Sequence, residues 1–217
     1  NLPYNVVASE YLNLEGLKVS TSRNWAVWLP EFLERYEPDP LRYVLTATGP
    51  ETSDSEFTWG EFVRRNNDEL VATYGNLVHR VLTMAYRNFE GKVPDPGEID
   101  DAGRERFDLA RRPLDETGAN IEACRFRAAL GAAMALARET NRYIDRKAPW
   151  RAVKTGRDGA ATTLWVALAV INCLKTALYP FLPFSSEKLH RMLGFEGTVA
   201  ERGWAWSPET LKAGQPL

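Results

Sequence analysis

The chain has 217 residues, of which 44% are apolar and 26% charged, and this is the composition of a globular protein with a sizeable core. Its net charge of −2 argues against nucleic-acid binding through bulk electrostatics, although recognition through a few local contacts stays open. We find no signal peptide and no apolar run long enough to cross a bilayer, so we expect a cytoplasmic protein with no membrane partner.

Cysteines and histidines are too few to suggest a disulfide framework or a metal centre. Cys124 and Cys173 lie far apart, each in an apolar helical pattern, and we interpret them as small core residues. His79 and His190 are the only histidines, so we expect no metal site. The chain opens with Asn1 in the middle of a pattern, which indicates a fragment of a longer protein.

A small β element is predicted over residues 4–19, with extended segments at 5–8 and 11–14 and a turn at Glu15 and Gly16. This element presents the following loop at its tip.

The loop from Lys18 to Arg23 contains a lysine, three hydroxyl side chains and an arginine. Ammonium and guanidinium groups attract phosphate oxygens, while hydroxyls and backbone N–H groups donate directed hydrogen bonds. The composition therefore suits an anion-binding loop, although a polar surface loop has the same composition.

Proline residues mark two short helices after this loop. Pro30 suits the first turn of a helix that Pro38 is expected to stop. Asp39 is the predicted N-cap of the second helix, over residues 41–45, with Pro40 at its first position.

From Thr58 onward the pattern is helical. Thr58 and Glu61 form a capping box, and Phe57 and Phe62 occupy the positions of a hydrophobic staple. Because no proline intervenes, one helix is predicted to continue to Phe89. Its predicted apolar side carries Val63, Leu70, Tyr74, Leu77, Val81, Ala85 and Phe89.

Further helices are predicted over residues 98–114, 121–147, 159–178 and 185–193. The helix over 159–178 is apolar on nearly every face, so we expect it to be the most buried. Pro149 ends the helix before it, and Trp150 follows that break. The predicted fold is mainly α, an antiparallel helical bundle over residues 58–217 after a small α/β segment over residues 1–57.

The bundle offers two further candidate binding features. Asn76 and Arg80 lie one turn apart on the predicted polar side of their helix, where amide and guanidinium groups suit the edges of unpaired bases. Trp150 offers a stacking surface for a base. The alternative interpretations are a solvated helix face for the pair and a core position for the tryptophan. No Ser-His-Asp arrangement and no pair of carboxylates marks a hydrolase.

Residues 18–22, with the sequence Lys-Val-Ser-Thr-Ser, resemble the KMSKS signature of class I aminoacyl-tRNA synthetases. Six further segments are similar, in the same order, to methionyl-tRNA synthetases: Arg23-Asn24, Leu41-Arg42-Tyr43, residues 62–68, residues 75–80, Ala148-Pro149-Trp150 and Pro180-Phe181-Leu182-Pro183. The resemblance spans nearly the whole chain, and the ordered set is more specific than the pentapeptide alone.

The resemblance implies part of a methionine–tRNA ligase, which activates methionine with ATP and Mg²⁺ and transfers it to the 3′ end of tRNA(Met). The signature loop of the family stabilises the charge that develops as pyrophosphate leaves. The implied catalytic residues are Lys18, Ser20, Thr21, Ser22 and Arg23, with Lys18 on the ATP phosphates. Thr21 departs from the pattern, because a second lysine is usual there, and Lys18 or Arg23 would have to supply that charge.

For the bundle, the resemblance implies an anticodon-binding domain in which Asn76, Arg80 and Trp150 read the CAU anticodon. The nucleotide-binding half of the enzyme would precede Asn1, so we expect this chain alone to be inactive. Two alternatives stay open: a stand-alone tRNA-binding protein derived from the synthetase, and another class I synthetase such as the cysteinyl or leucyl enzyme.

Overall fold

A three-stranded sheet lies near the start of the chain in the computed structural model, which describes residue 3 and residues 5–217. Its strands are β1 (Leu12–Leu14), β2 (Leu17–Lys18) and β3 (Ser55–Phe57), in the order β2-β1-β3. β1 pairs antiparallel with β2 and parallel with β3. Glu15 and Gly16 join β1 to β2 at φ 49° and 78°, as a two-residue hairpin loop requires, and the predicted turn is confirmed.

The extended segment predicted over residues 5–8 is not a strand, and Val6 there is 81% exposed. Tyr4, where the predicted β element begins, lies outside the described residues. The second neighbour of β1 is β3 instead. A strand of three residues carries too little alternation to be recognised from the sequence, which is why β3 was missed.

Nine α-helices and one π-helical segment make up most of the described chain. They are α1 (Leu29–Leu33), α2 (Pro38–Ala47), α3 (Trp59–Arg65), the π segment (Asn66–Gly75), α4 (Asn76–Asn88), α5 (Asp101–Glu122), α6 (Phe126–Lys147), α7 (Pro149–Thr155), α8 (Arg157–Leu178) and α9 (Pro183–Met192). The mainly α fold with a small preceding sheet is therefore confirmed.

The start of α2 differs from the prediction. Pro38 does not stop α1, which already ends at Leu33, but occupies the first position of α2 after the N-cap residue Glu37. Asp39 is buried and caps a different helix, because its Oδ2 accepts a hydrogen bond of 2.6 Å from the backbone N–H of Ser185 in α9. This contact joins the N-terminal segment to the bundle.

The predicted start of α3 and its N-cap Thr58 are confirmed, but the Glu61 carboxylate pairs with Arg64 and Arg65, so only one half of the predicted capping box is present in the described structure. Thr58 Oγ1 accepts a hydrogen bond of 3.1 Å from the backbone N–H of Glu61, and the rings of Phe57 and Phe62 lie 6.0 Å apart. The chain then stays helical to Asn88, but it passes through the π segment on the way.

The π segment changes which residues face the core. Val63, before it, is 52% exposed, although it was predicted on the apolar side. Leu77, Val81 and Ala85, after it, are fully buried as predicted. A wider i→i+5 turn shifts the helical phase, so one period of 3.6 residues cannot describe both ends.

The boundary between α5 and α6 was also misplaced. Helix α5 continues through Pro113 to Glu122, because Leu114 and Thr117 are buried and Thr117 donates a hydrogen bond to the Ala129 carbonyl of α6. Cys124 lies in the turn between these helices at φ 55°, not within a helix as predicted. The free energy gained from this packing exceeds the cost of the backbone hydrogen bond that Pro113 cannot donate.

Helix α8 is the central helix, as predicted, and α4, α5, α6, α7 and α9 all contact it. Eighteen of its residues are buried. By length and composition alone it could span a membrane, so the statement that no apolar run reaches that length was wrong. In its most apolar window 94% of the residues are buried inside the protein, as in the core helix of a globular protein.

A buried polar cluster joins α8 to the C-terminal segment. Lys175 Nζ lies 2.8 Å from Asn172 Oδ1 and 3.0 Å from His190 Nδ1, while His190 Nε2 lies 3.2 Å from the Glu196 carbonyl. A neutral His190 with its proton on Nε2 satisfies both of its contacts. Burial, followed by the charge of Arg202, lowers the pKa of Lys175 to about 8, although Glu187 opposes this shift.

We predict that the Lys175→Met variant differs from the wild type in the pH dependence of its stability. Below pH 8 the wild type bears the full cost of a buried ammonium. Between pH 8 and the unfolded value near 10.5 the folded state releases its proton first, so the free energy of unfolding of the wild type rises relative to the variant. Denaturant unfolding at several pH values measures the difference.

The exposed Lys188 on α9 supplies the control. The Lys188→Met variant should follow the wild type across the same pH range. A difference between wild type and Lys175→Met that stays constant from pH 7 to 10.5 would contradict the assignment of this titration to Lys175.

Candidate functional site: a hairpin loop and a helix junction

The Lys18–Arg23 loop forms the tip of a short hairpin. Ser20 and Trp25 exchange two backbone hydrogen bonds of 2.9 and 2.8 Å, which close the loop. Asn24 has φ 52°, a conformation that asparagine tolerates, and its side chain accepts a hydrogen bond from the indole of Trp28. The indole of Trp25 donates to the Leu14 carbonyl, 2.9 Å away, and ties the loop to β1.

The side chains of this loop are available to a ligand. Lys18, Thr21, Ser22 and Arg23 are exposed, and Ser20 is half-buried. The hydroxyls of Ser20 and Ser22 lie 3.2 Å apart. The ammonium of Lys18 lies 5.2 Å from the centre of the Tyr11 ring, a cation–π contact that an anionic ligand could replace.

Trp150 is positioned by the junction of α6 and α7. Ala148 ends α6 with φ 43° and ψ 56°, in the left-handed region, and its N–H still donates to the Ile144 carbonyl. Pro149 then begins α7 directly, so no loop separates the two helices. Trp150 therefore lies in the first turn of a helix and not in a loop. Its side chain is 40% exposed, which leaves part of the ring accessible.

Arg80 of α4 contacts both sides of this junction. Its guanidinium carbon lies 5.3 Å from the centre of the Trp150 ring, and its Nη2 lies 2.7 Å from Asp145 Oδ1 of α6. The Arg80 side chain is 27% exposed, so it is held against the protein and still reachable. Each contact is worth about 1 kcal/mol or less at such an exposed position, which is enough to orient a side chain.

Asn76 lies one helical turn before Arg80 and is exposed. It is the first residue of α4 after the π segment. Helix α6 contacts the π segment, where Asn141 Nδ2 donates a hydrogen bond of 3.0 Å to the Thr73 carbonyl. The described structure thus exposes an amide, a guanidinium and an indole at the meeting point of α4, α6 and α7.

The sequence predicted that Asn76 and Arg80 lie on one helix face, but it could not indicate the contact between Arg80 and Trp150. It also missed Asp145, whose ion pair bridges residues far apart in the chain. The described residues show no contact between the Lys18–Arg23 loop and the residues Asn76, Arg80 and Trp150. They also contain no cluster of three side chains able to hold a metal ion.

Two family models match the chain. Residues 1–82 match the model described as tRNA synthetases class I (M), and residues 93–217 match the anticodon binding domain of methionyl tRNA ligase. The second match alone covers more than half of the chain.

Relatives and solved structures agree with these models. The chain is 48% identical to a methionine–tRNA ligase of Thermomicrobium roseum and 45% identical to one of Roseiflexus, covering 100% of this chain but only 41% and 40% of those proteins. The methionyl-tRNA synthetase of Mycobacterium tuberculosis in complex with methionyl-adenylate superimposes with a TM-score of 0.89 at 27% identity, covering 100% of this chain and 43% of that one. The chain thus spans about two fifths of the length of the curated relatives it matches. It belongs to the methionyl-tRNA ligase family of class I tRNA synthetases.

Proposed function

We propose that this chain is the part of a methionine–tRNA ligase that reads the anticodon of tRNA(Met) and supplies the KMSKS-like loop. The observation that carries the proposal is the contact of Arg80 with Trp150 beside the exposed Asn76, in a chain whose residues 93–217 match a methionyl anticodon-binding domain. In this proposal, residues 1–57 end the catalytic domain and residues 58–217 form the recognition domain.

Anticodon recognition would use the three side chains differently. The indole of Trp150 offers a flat apolar surface for one unpaired base, a contact typically worth about 1–3 kcal/mol. Arg80 donates hydrogen bonds in a fixed fork, while the Asn76 amide both donates and accepts, so together they suit the polar edges of bases. Asp145 keeps the Arg80 guanidinium over the ring before RNA arrives, which reduces the entropy lost on binding.

The Lys18–Arg23 loop would act on the phosphates of ATP. Lys18 supplies a positive charge, and the hydroxyls of Ser20 and Ser22 supply hydrogen bonds, at an exposed tip that a nucleotide can reach. Arg23 supplies a second positive charge, which is needed because Thr21 stands where the family usually has lysine. We expect Mg²⁺ to arrive with the nucleotide. Charge at this tip would stabilise the departing pyrophosphate.

Catalysis would need parts that this chain does not supply by itself. We propose that the 217 residues alone do not form methionyl-adenylate, and that the longer protein does so in the cytoplasm without a membrane partner. A stand-alone tRNA-binding protein remains the alternative, but such a protein would have no use for the Lys18–Arg23 loop. The cysteinyl and leucyl alternatives are withdrawn, because the matching models and relatives are methionyl.

The direct test compares binding of two RNA hairpins by the 217-residue chain. One carries the tRNA(Met) anticodon loop with CAU, and the other carries the same stem with the three bases replaced by GUA. The proposal requires tighter binding of the CAU hairpin at equal salt concentration. Equal affinity for the two hairpins would refute anticodon recognition.

We predict that Trp150→Ala, in the longer protein, raises the KM for tRNA(Met) in aminoacylation by between about fivefold and about 150-fold, the equivalent of about 1–3 kcal/mol of lost stacking. Methionine-dependent ATP–pyrophosphate exchange should stay close to the wild-type rate, because adenylate formation does not involve the anticodon. The matched control is Trp204→Ala, which removes a tryptophan of similar exposure, 43% against 40%, on the C-terminal segment. A normal KM for tRNA in Trp150→Ala would count against the assignment.

We predict that Lys18→Ala lowers the rate of adenylate formation much more than it raises the KM for ATP. The reason is that the positive charge of Lys18 would stabilise the negative charge that develops in the transition state. Presteady-state measurement of adenylate formation separates the two effects, and Lys212→Ala, an exposed lysine of the C-terminal segment, is the control. A raised KM for ATP with an unchanged rate would show that Lys18 only binds ATP, and equal changes in rate and KM would also contradict the prediction.

A further inference from the structure

A polar cavity opens where α2 of the N-terminal segment meets the bundle, separate from the Arg80–Trp150 contact. Its volume is about 340 Å³, and it lies between α2, the end of α3, the π segment and the part of α6 from Arg127 to Arg138. The polar groups that line it are Tyr43, Arg65, Glu69, Arg127 and Arg138. Gly131 lines it as well, and a Cβ there would meet no atom within 4 Å, so the cavity is open beside α6.

The charges in this cavity are unbalanced. Arg65 Nη1 lies 3.2 Å from Glu69 Oε1, and the Tyr43 hydroxyl donates a hydrogen bond of 2.5 Å to Glu69 Oε2. The single carboxylate of the cavity is therefore already satisfied. Arg127 and Arg138 are exposed, and the described part of the chain gives neither guanidinium an ion-pair partner. Two positive charges are left for a ligand.

Helix α6 lines the cavity and also carries Asp145, which contacts Arg80 in the candidate anticodon site. Arg138 and Asp145 are seven residues apart on α6, so they project from nearly the same face about 10 Å apart along the axis. Although the whole chain has a net charge of −2, α6 carries five basic and two acidic residues. Arg142 pairs with Glu139 and Lys147 with Asp100, so the α6 residues without an ion-pair partner in the described part of the chain include both arginines of the cavity.

We propose that this cavity binds a backbone phosphate of the RNA hairpin whose unpaired bases contact Trp150. Arginine forms paired hydrogen bonds with phosphate oxygens, and two guanidiniums without protein partners provide the required donors. The contact positions the RNA and carries no sequence information, so it acts equally on every anticodon. This inference rests on the proposed function, because it takes the same RNA as its ligand.

The test measures hairpin binding by the 217-residue chain over a range of salt concentrations. The Arg127→Gln/Arg138→Gln variant should bind both the CAU and the GUA hairpin on the order of tenfold more weakly than the wild type. The slope of log K against log salt should become shallower by about one for each guanidinium removed. The Arg111→Gln/Arg112→Gln variant removes the same charge from α5, away from the cavity, and should change neither quantity.

A second variant tests the cavity independently of whether the double variant folds correctly. Gly131→Glu leaves both arginines in place and adds a carboxylate where there is open space, and it should weaken both hairpins similarly. Unchanged affinity and slope in both cavity variants, with the CAU preference retained, would overturn the phosphate site alone. Equal affinity of the wild type for the two hairpins, with the arginine effect intact, would overturn anticodon recognition and leave a phosphate site that binds RNA of any sequence, and a wild type that binds neither hairpin would overturn both.

Discussion

The backbone of Ala148 lies in the left-handed region immediately before Pro149, and the candidate anticodon site depends on this geometry. Such a conformation costs an alanine about 1–2 kcal/mol, but the following proline disfavours the right-handed helical alternative as well. The chain therefore turns from α6 into α7 without a loop. Trp150 is held by helical backbone as a result, and α6 supplies the Asp145 carboxylate that orients Arg80 against its ring. A flexible connection at this point would leave the ring without a fixed position, and each RNA contact would bear the cost of ordering it.

The candidate site is locally rigid, and the chain that carries it has little net charge. A net charge of −2 provides no bulk electrostatic attraction for RNA, so the proposed recognition relies on a few well-placed groups. The proposed division of labour fits this constraint. Bases would be read by Asn76, Arg80 and Trp150, whereas a backbone phosphate would be held by Arg127 and Arg138. The remaining basic residues on the bundle are often paired with carboxylates, as in the contacts of Arg64 and Arg65 with Glu61.

Features that depend on neighbouring residues could be predicted from the sequence. The N-cap at Thr58, the helix break at Pro149 and the apolar composition of α8 each depend on residues close together in the sequence, and each has the predicted place in the fold. Features that arise from tertiary contacts could not be predicted. Asp39 has the composition of an N-cap for its own helix, yet it caps α9, because the fold brings Ser185 to its carboxylate. The π segment likewise accepts a hydrogen bond from Asn141 of another helix, and no periodicity in the sequence predicts that segment. The contact of Arg80 with Trp150 joins residues seventy positions apart, so only the family resemblance could place them in one site.

The central claim is that Trp150 stacks on an anticodon base, and a double-mutant cycle tests it most directly. Hairpins with an abasic residue at each anticodon position in turn would be measured against the wild type and Trp150→Ala. The account predicts that at one position the two changes are not additive, with a coupling energy of about 1–3 kcal/mol, while the other positions are close to additive. Additive effects at all three positions would contradict direct stacking and reduce Trp150 to a structural support for Arg80.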